Sequence, residues 1–359
     1  MWIKNLKLNN FRNYFYESVE FNEDYNIFIG DNAQGKTNLL ESVYYLANAS
    51  SFKKIRDTDI IRFSQSQMRL AGTIRKGRSF KEVLIEVKDK DKSIFVNGVK
   101  YDRRKDLRSL FKLVLFTPED LAIIKEGPNL RRDLIDGIIE GIDFSYKKTK
   151  RDYDKILYQR NRLLKNKTSS YFNEQLSAFD ETITKLGYKI LKTRKKFVKI
   201  IGDFAKDFHL SLTDGAEVLE MDYKPDLDAK DFASYVEDFK ASKDLDLKYL
   251  TSQRGIHKDD IDISINGKPT KSFASQGQQR SAILNIRLAE VKLTKEVTGD
   301  EAVILFDDVF SELDEKRSLF LLENLKGYQT IITATNTKSL EDIDKDKISY
   351  IVDGNIRKE

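Results

Sequence analysis

A glycine-rich loop near the start of the chain has the clearest potential for chemistry. Residues 30–37 read GDNAQGKT and match the pattern G-x-x-x-x-G-K-S/T, here called the phosphate loop. In such a loop, backbone N–H groups, a helix N-terminus and Lys36 would hold phosphates, while the Thr37 hydroxyl would ligate Mg²⁺. An apolar strand precedes the loop at residues 27–29, and apolar residues follow it at helical spacing. These flanks favour a nucleotide site over an ordinary glycine turn before a helix.

Two adjacent acids follow an apolar strand near the other end of the chain. Residues 303–306 are apolar, and Asp307 and Asp308 come directly after them. Open α/β sheets place ligand chemistry at the carboxyl ends of their strands. Asp307 fits a residue that holds Mg²⁺ and its waters, and Asp308 fits a base that polarises an attacking water. The alternative for Asp308 is a helix N-cap.

A third candidate segment precedes a helix. Residues 275–278 read SQGQ, and a serine and glycine at this position could present N–H groups and a hydroxyl to an anion. Helix caps have the same composition, so this segment is informative only in an ordered set with the phosphate loop and the acid pair.

Composition limits the class of protein. The chain has 359 residues, 40% of them hydrophobic, which predicts about two domains. It has no cysteine, which excludes disulfides and thiolate metal sites and favours a reducing compartment. No run of about 18 apolar residues is present, so we expect a soluble cytoplasmic protein without a membrane partner.

The positive charge is concentrated in one segment. Residues 144–209 contain 17 Lys+Arg and 7 Asp+Glu, a net charge of +10, against +5 for the whole chain. The apolar residues of this segment recur at steps near three and four on either side of a polar break at residues 166–170. The pattern predicts a basic hairpin of two antiparallel helices. The alternative is a helical subdomain packed flat, because periodicity gives no direction.

The order of elements predicts an α/β fold. Strands and helices alternate at both ends of the chain, with a helical insert between them, so one nucleotide-binding domain is assembled from both termini. We predict an N-terminal part at residues 1–118, a mainly helical inserted arm domain at 119–250 and a C-terminal part at 251–359. Residues 210–250 show no clear pattern.

These motifs resemble those of the ATP-binding cassette family. Residues 275–278 stand where that family has its signature, with Gln276 in place of a glycine, and SELD at residues 311–314 resembles its D-loop. GDNAQGKTNLLES, FTPEDLAIIKEGPNLRRDLID, GIHKDD, ASQGQQRSA and FDDVFSELD, with the chain length, are similar to the RecF family of bacterial recombination mediators, relatives of SMC-type ATPases. The resemblance implies an SMC-like ATP-binding cassette head with an inserted helical arm.

The resemblance also implies a mechanism. Two copies would form an ATP-dependent homodimer with Mg²⁺, in which the phosphate loop of one subunit faces the signature segment (residues 275–278) of the other. The catalytic residues would be Asp308 and Lys36, and the metal ligands would be Thr37 and Asp307. The D-loop residues would be Ser311 and Asp314. The signature residues in trans would be Ser275, Gln276, Gly277 and Gln278. The nucleotide-binding residues would be Arg12, Asn13, Gly30, Asp31, Asn32, Ala33, Gln34, Gly35, Lys36, Thr37 and Asn38.

Three positions depart from the wider patterns. Asp308 stands where most ATP-binding cassettes have glutamate, although RecF proteins have aspartate there. The switch histidine is replaced by Thr333-Ala-Thr335-Asn336, and Ile256 replaces a usual proline in GIHKDD. We therefore expect a weak, DNA-stimulated ATPase whose slow hydrolysis times release from DNA.

The function implied is recombinational repair and replication restart. The dimer would bind double-stranded DNA near junctions with single-stranded gaps, and RecO-like and RecR-like partners would help load recombinase. Contacts with DNA phosphates should dominate. The candidate side chains, which could equally form a solvated helix face, are Lys147, Lys148, Lys150, Arg151, Arg194, Lys195 and Lys196.

Other classes fit less well. A structural module could bind ATP without useful hydrolysis, and the sequence leaves that alternative open. A transporter subunit is disfavoured because the helical insert separates the phosphate loop from the signature segment by far more residues than such cassettes use. A metal-dependent nuclease is disfavoured because only about 50 residues follow Asp308 and they contain no spare acidic constellation.

Overall fold

A computed structural model describes residues 1–53, 55–101, 107–166, 170–336 and 344–358. Its contacts divide the chain into two units, Met1–Asp120 with Thr294–Glu359, and Leu121–Leu293. The second of these units includes residues 251–293, which the sequence assigns to the C-terminal part of the ATPase head. The predicted limits between the head and its inserted arm domain stay a prediction. Part of the predicted polar break, residues 167–169, lies outside the described residues.

One sheet of the first unit is antiparallel. Its order is β2 (Tyr14–Glu20), β1 (Trp2–Phe11), β4 (Gln67–Lys76), β5 (Ser79–Lys88), β6 (Asp91–Val96) and β7 (Val99–Lys100). β4 and β5 alternate between buried and less buried residues, as expected of strands with one face on a core. The turn between β6 and β7 has positive φ at Asn97 and Gly98, as a two-residue hairpin turn requires.

The other sheet of the first unit carries the candidate site. Its order is β15 (Asn355–Lys358), β14 (Ile348–Val352), β3 (Tyr25–Ile29), β13 (Thr330–Ala334), β12 (Val303–Asp307) and β8 (Leu113–Phe116). All neighbours are parallel except β15 and β14. Every residue of β12 and β13 is buried, as the apolar runs predict for central parallel strands.

The helices of the first unit are α1 (Lys36–Asn48), α2 (Leu107–Leu110) and α11 (Glu315–Asn324). Short 3-10 helices lie at Asp57–Ile60, Pro118–Leu121, Phe310–Glu312 and Lys345–Lys347. α1 confirms the helix predicted after the phosphate loop. Its buried face joins the core of this unit, and it ends at Ala49 in a left-handed conformation.

The second unit is mainly helical. Its helices are α3 (Ala122–Lys125), α4 (Pro128–Ile142), α5 (Phe144–Lys165), α6 (Phe172–Leu212), α7 (Phe232–Lys240), α8 (Lys243–Tyr249), α9 (Thr270–Phe273) and α10 (Gln276–Thr298), which ends beyond it. A small antiparallel sheet has the order β11 (Lys268–Pro269), β10 (Asp260–Ile265), β9 (Leu219–Lys224). β9, α7 and α8 occupy the stretch in which the sequence shows no clear pattern.

α5 and α6 form the predicted antiparallel pair. Lys189 Nζ lies 3.2 Å from Ser145 Oγ, and Arg160 Nε lies 2.7 Å from Asp180 Oδ1. As the residue number rises along α5, the residue number of the contacting side chain on α6 falls, as expected of antiparallel helices. At 1.5 Å per residue the 41 residues of α6 extend about 60 Å.

One predicted DNA contact on α6 is wrong. The Arg194 side chain is 1% exposed, and its guanidinium donates to Asp136 Oδ2 and Asp259 Oδ2, each at 2.8 Å. Tyr146 and Tyr223 complete this buried network by donating to the same two carboxylates. Arg194 is therefore committed to internal partners and cannot reach a phosphate. Basic residues on a long helix do not all belong to its exposed face.

We expect Arg194→Ala to lower the free energy of unfolding by about 3–5 kcal/mol, because the change leaves two carboxylates without their buried counter-charge. The matched control is Lys195→Ala, since Lys195 is 43% exposed and pairs with an exposed Asp228. That control should change stability by less than about 0.5 kcal/mol. Urea unfolding followed by circular dichroism measures both. Equal losses in the two variants would contradict the assignment.

Candidate nucleotide site

The phosphate loop connects β3 to α1, and its two glycines occupy positions that a larger residue could not. A Cβ on Gly30 would lie 2.5 Å from the carbonyl oxygen of Ile351. Gly35 has φ +115°, and a Cβ there would lie 2.6 Å from Asn13 Nδ2. Gly35 is also the N-cap of α1 and provides no capping side chain. The N–H groups of the first turn of α1 are thus available to an anion.

Lys36 points back into the loop. Its side chain is buried, and Nζ donates to the carbonyl oxygen of Gly30 and lies 3.4 Å from that of Asp31. The loop residues Asp31, Asn32 and Ala33 are exposed. The ammonium therefore lies beneath an open loop, in the place from which a lysine meets bound phosphates.

Two turns from opposite ends of the chain hold Gln34. Asn13 Nδ2 donates to the Gln34 carbonyl at 3.2 Å, and Asn13 Oδ1 accepts from Asn38 Nδ2 at 2.9 Å. The N–H of Gly354, in the turn between β14 and β15, donates to the same Gln34 carbonyl at 3.1 Å. Asn13 is thus placed against the loop, and its role in binding the nucleotide stays a prediction. The sequence does not reveal that the turn containing Gly354 lies against the phosphate loop.

Arg12 is held by a partner that sequence reasoning missed. Its Nε and Nη2 donate to the two oxygens of Glu41 at 2.8 Å each, and Nη1 donates to the Asp59 carbonyl at 2.8 Å. Glu41 is fully buried on α1, and Lys53 Nζ lies 3.7 Å from it. The sequence feature that could have revealed this ion pair is the acid Glu41 among the apolar residues of α1. Arg12 and Asn13 line a pocket of about 650 Å³, together with Asn38, Lys53, Ile55 and Phe63.

The structure brings the two predicted metal ligands together. Thr37 Oγ1 donates to Asp307 Oδ1 at 2.9 Å, although the residues are 270 positions apart. Thr333, on the intervening strand β13, places its hydroxyl 3.1 Å from the same oxygen. Burial raises the pKa of Asp307, and the hydrogen bonds from Thr37 and Thr333 oppose that rise. Sequence reasoning named Thr333 only as part of the segment that replaces the switch histidine and missed its contact with Asp307.

Asp308 follows with an unusual backbone. Its φ is +53°, a strained value for aspartate, and its N–H donates to the Thr333 carbonyl at 3.1 Å. Asp308 Oδ1 is buried and has no hydrogen-bond partner among the described residues. A buried carboxylate oxygen requires a donor, so a water or ligand group fits this position. The helix-cap alternative does not hold, because the following 3-10 helix has Val309 as its N-cap without a side-chain cap.

The signature segment forms a helix cap in the second unit. Gln278 N donates to Ser275 Oγ at 3.2 Å, and Ser275 N donates to Gln278 Oε1 at 2.7 Å. This reciprocal pair begins α10 and leaves Ser275 and Gln276 exposed. In the D-loop, Ser311 Oγ donates to the Asp308 carbonyl, and Asp314 caps α11.

The residues present fit a magnesium nucleotide. Among the described residues, no group of three or more His, Cys, Asp or Glu side chains could hold a metal by itself. Mg²⁺ commonly takes only one or two protein ligands and completes its shell with phosphates and water. Thr37 and Asp307 would supply those ligands beside a loop that accommodates phosphates. The metal would neutralise charge on the phosphates when bound.

Comparison with known proteins identifies the family. The family model RecF/RecN/SMC N terminal domain matches residues 2–357. The DNA replication and repair protein RecF of Lachnospira eligens is 37% identical over 362 residues, 99% of this chain and 99% of that protein. The chain belongs to the RecF family. A solved structure of the recombination mediator protein RecF with ATP, in the RecFOR pathway, has a TM-score of 0.91 at 34% identity and covers 100% of this chain and 97% of its own.

These findings confirm the predicted family and fold class. The Smc head domain of Pyrococcus furiosus has a TM-score of 0.59 at 16% identity, covering 99% of this chain and 95% of that chain, which supports the fold alone. RecF-family membership places this chain among DNA replication and repair proteins. None of the described helices has the length and apolar character required to cross a membrane.

The remaining candidate DNA contacts differ in exposure. Lys148, Arg151, Lys195 and Lys196 are exposed, whereas Lys147 and Lys150 are partly buried. Lys150 Nζ pairs with Asp154 at 2.7 Å and lies 3.7 Å from Asp136. The exposed side chains are therefore the better candidates for an interaction with a large ligand.

We expect Thr333→Val to reduce Mg²⁺-dependent ATP hydrolysis by about tenfold, because the change removes a hydrogen bond that orients the Asp307 carboxylate. Thr330→Val is the matched control. Thr330 is equally buried on β13, but its hydroxyl donates to the Tyr328 carbonyl, away from the acids. Steady-state phosphate release measures both variants. A similar loss in the two would show that β13 packing, and not the orientation of Asp307, is responsible.

Proposed function

We propose that this RecF-family protein binds ATP with Mg²⁺ and uses it to dimerise on DNA during recombinational repair and replication restart. The observation that carries the proposal is the meeting of Thr37, Asp307 and Asp308 beside the phosphate loop. The solved RecF structure with ATP, at a TM-score of 0.91, supports ATP as the nucleotide. Lys36 and the first-turn N–H groups of α1 would bind the phosphates.

The pocket beside α1 suits the nucleoside. Arg12, Asn13 and Lys53 provide donors and positive charge, while Ile55 and Phe63 provide apolar surface. Phe63 is 93% exposed, so its ring is open to a ligand that enters this pocket. The Glu41–Arg12 pair would keep the guanidinium in one orientation toward this pocket.

Hydrolysis would depend on Asp308. Its Oδ1, for which the described part of the chain supplies no partner, could accept a proton from a water held near the phosphates, and Asp307 would keep the metal in place. Aspartate is one methylene shorter than the glutamate of most ATP-binding cassettes. We therefore propose weak, DNA-stimulated hydrolysis that times release from DNA and does not power movement.

ATP would be shared between two copies. Ser275 and Gly277 present a hydroxyl and an N–H group at the exposed start of α10, suited to the γ-phosphate held by a second subunit. The D-loop residues Ser311 and Asp314 would lie along the same interface. Dimerisation would then require both a bound nucleotide and an intact signature segment.

We expect ATP, Mg²⁺ and a gapped duplex to double the protein mass from 41.7 kDa in light scattering. Ser275→Arg should stay monomeric, because a large cation at the cap fills the space for the partner's phosphate. Asp308→Asn is the comparison variant, since it keeps the nucleotide contacts and removes the proposed base. It should dimerise and remain dimeric. Doubling by Ser275→Arg would refute the shared nucleotide, and normal release of Asp308→Asn from DNA would favour a structural module without useful hydrolysis.

DNA binding would use the basic hairpin of α5 and α6. Its exposed cations match the phosphate backbone of double-stranded DNA, which binds proteins mainly by charge and with little sequence preference. We propose that the dimer binds duplex DNA near junctions with single-stranded gaps. RecO-like and RecR-like partners would then help load recombinase, in the cytoplasm at the nucleoid.

We expect the double variant Lys148→Glu, Lys196→Glu to weaken duplex binding and to reduce the slope of log affinity against log salt by about one for each lysine–phosphate interaction removed. The double variant Lys88→Glu, Lys90→Glu in the first unit is the matched control, because both lysines are exposed, lie outside the hairpin and give the same change in net charge. Fluorescence anisotropy with a duplex at several salt concentrations measures both. An equal effect of the control would indicate a general effect of net charge.

A further inference from the structure

The signature segment is tied to the end of α6 by side chains that the proposed chemistry does not use. Gln278 Nε2 donates to Glu217 Oε1 at 2.7 Å, and His209 Nε2 lies 3.0 Å from Glu217 Oε2. His209 lies in the last turn of α6 and is fully buried. A chain of hydrogen bonds thus runs from the long helix to the signature segment, entirely within the second unit.

The direction of each hydrogen bond follows from its neighbours. The Glu217 carboxylate can only accept, so His209 Nε2, which lies 3.0 Å from Glu217 Oε2, donates to it, while Asn285 Nδ2, on α10, lies 3.0 Å from His209 Nδ1. His209 therefore donates to Glu217, whose carboxylate accepts from both His209 and Gln278. The Gln278 amide is in turn fixed, because its Oε1 accepts from Ser275 N at 2.7 Å.

The backbone of Glu217 is also anchored to α6. The Glu217 N–H donates to Thr213 Oγ1 at 3.2 Å, and that hydroxyl donates to the His209 carbonyl at 2.8 Å. Thr213 is the C-cap residue of α6. Both the backbone and the carboxylate of Glu217 therefore take their position from the end of the helix.

We propose that Glu217 and His209 are positioning residues for the signature segment. Glu217 holds the Gln278 amide so that Gln278 Oε1 fixes Ser275 N, which sets the orientation of the serine presented to a nucleotide. His209 keeps the Glu217 carboxylate in place. The effect on dimerisation rests on the proposed function, whereas the positioning itself does not. Since α6 also carries exposed cations, one helix joins the DNA-binding surface to the segment that contacts ATP.

Hydrogen–deuterium exchange of the full-length protein without nucleotide tests the positioning directly. Glu217→Ala should make exchange at the Ser275 amide about fivefold faster, because one hydrogen bond that orders its acceptor is removed. Glu220→Ala is the matched control, since Glu220 is exposed on β9 three residues away. It should leave exchange in residues 272–280 unchanged. Equal exchange in the two variants would overturn the proposal.

A paired exchange of side chains separates positioning from damage to the fold. Gln278→Glu should also speed exchange at Ser275, because two carboxylates then face each other. Adding Glu217→Gln restores every hydrogen bond, because the new amide at position 217 donates to the new carboxylate at position 278 and its oxygen accepts from His209. Protection of the Ser275 amide should therefore return. Failure of the double variant to regain protection would overturn the specific hydrogen-bond scheme.

Light scattering with ATP and Mg²⁺ then tests the consequence. Glu217→Ala should need about 25-fold more protein for half-dimerisation than Glu220→Ala, because each dimer has two signature segments and the variant removes one hydrogen bond, worth about fivefold, from each. If exchange responds as expected but the unmodified protein never dimerises, the proposed function fails and the positioning stands. If dimerisation is normal in Glu217→Ala despite faster exchange, the link between positioning and ATP sharing is wrong.

Discussion

The hydrogen bond between Thr37 and Asp307 is the contact on which the candidate site depends. It joins the first turn of α1 to the end of β12, which come from opposite ends of the chain. The contact is possible because β13 lies between β3 and β12 in a parallel sheet, so the carboxyl ends of the three strands meet at one edge. Thr333 at the end of β13 then fills the space between them. Neither terminal segment could form this site alone.

Buried arginines impose the corresponding constraint on the helical unit. Arg160 and Arg194 are each 1% exposed, on α5 and α6 respectively, and each contacts two carboxylates. Removing a charge from water is costly unless partners surround it, so these networks restrict how the two helices can pack. They also explain why the count of basic residues overstates the positive charge exposed on the hairpin. Part of the positive charge of the hairpin is buried in ion pairs within the fold.

Local patterns were enough to predict the phosphate loop, α1, β12 and the helical pair, because each depends on spacing within a few residues. The acid pair was predictable for the same reason, and its meeting with Thr37 followed from the rules of parallel sheets. Glu41, Thr333 and Gly354 were missed because their roles arise from partners far away in the chain. Arg194 was misassigned because a charged residue on a helix is exposed far more often than buried. The sequence did not predict β9, because this strand lies in an acidic stretch in which the alternation of apolar and polar residues is short and weak.

The carboxylates of this molecule differ in how far the fold satisfies their hydrogen bonds. Glu41 accepts both arms of Arg12, Asp307 accepts from Thr37 and Thr333, and Glu217 accepts from His209 and Gln278. Each of these groups joins separate elements through the hydrogen bonds that it accepts. Asp308 differs, because a buried oxygen of its carboxylate has no partner among the described residues and its backbone is strained. A carboxylate that the fold leaves unsatisfied can accept a proton from outside the fold, which is the property required of a base. The same reasoning assigns Glu217 to positioning, since its oxygens are already in use.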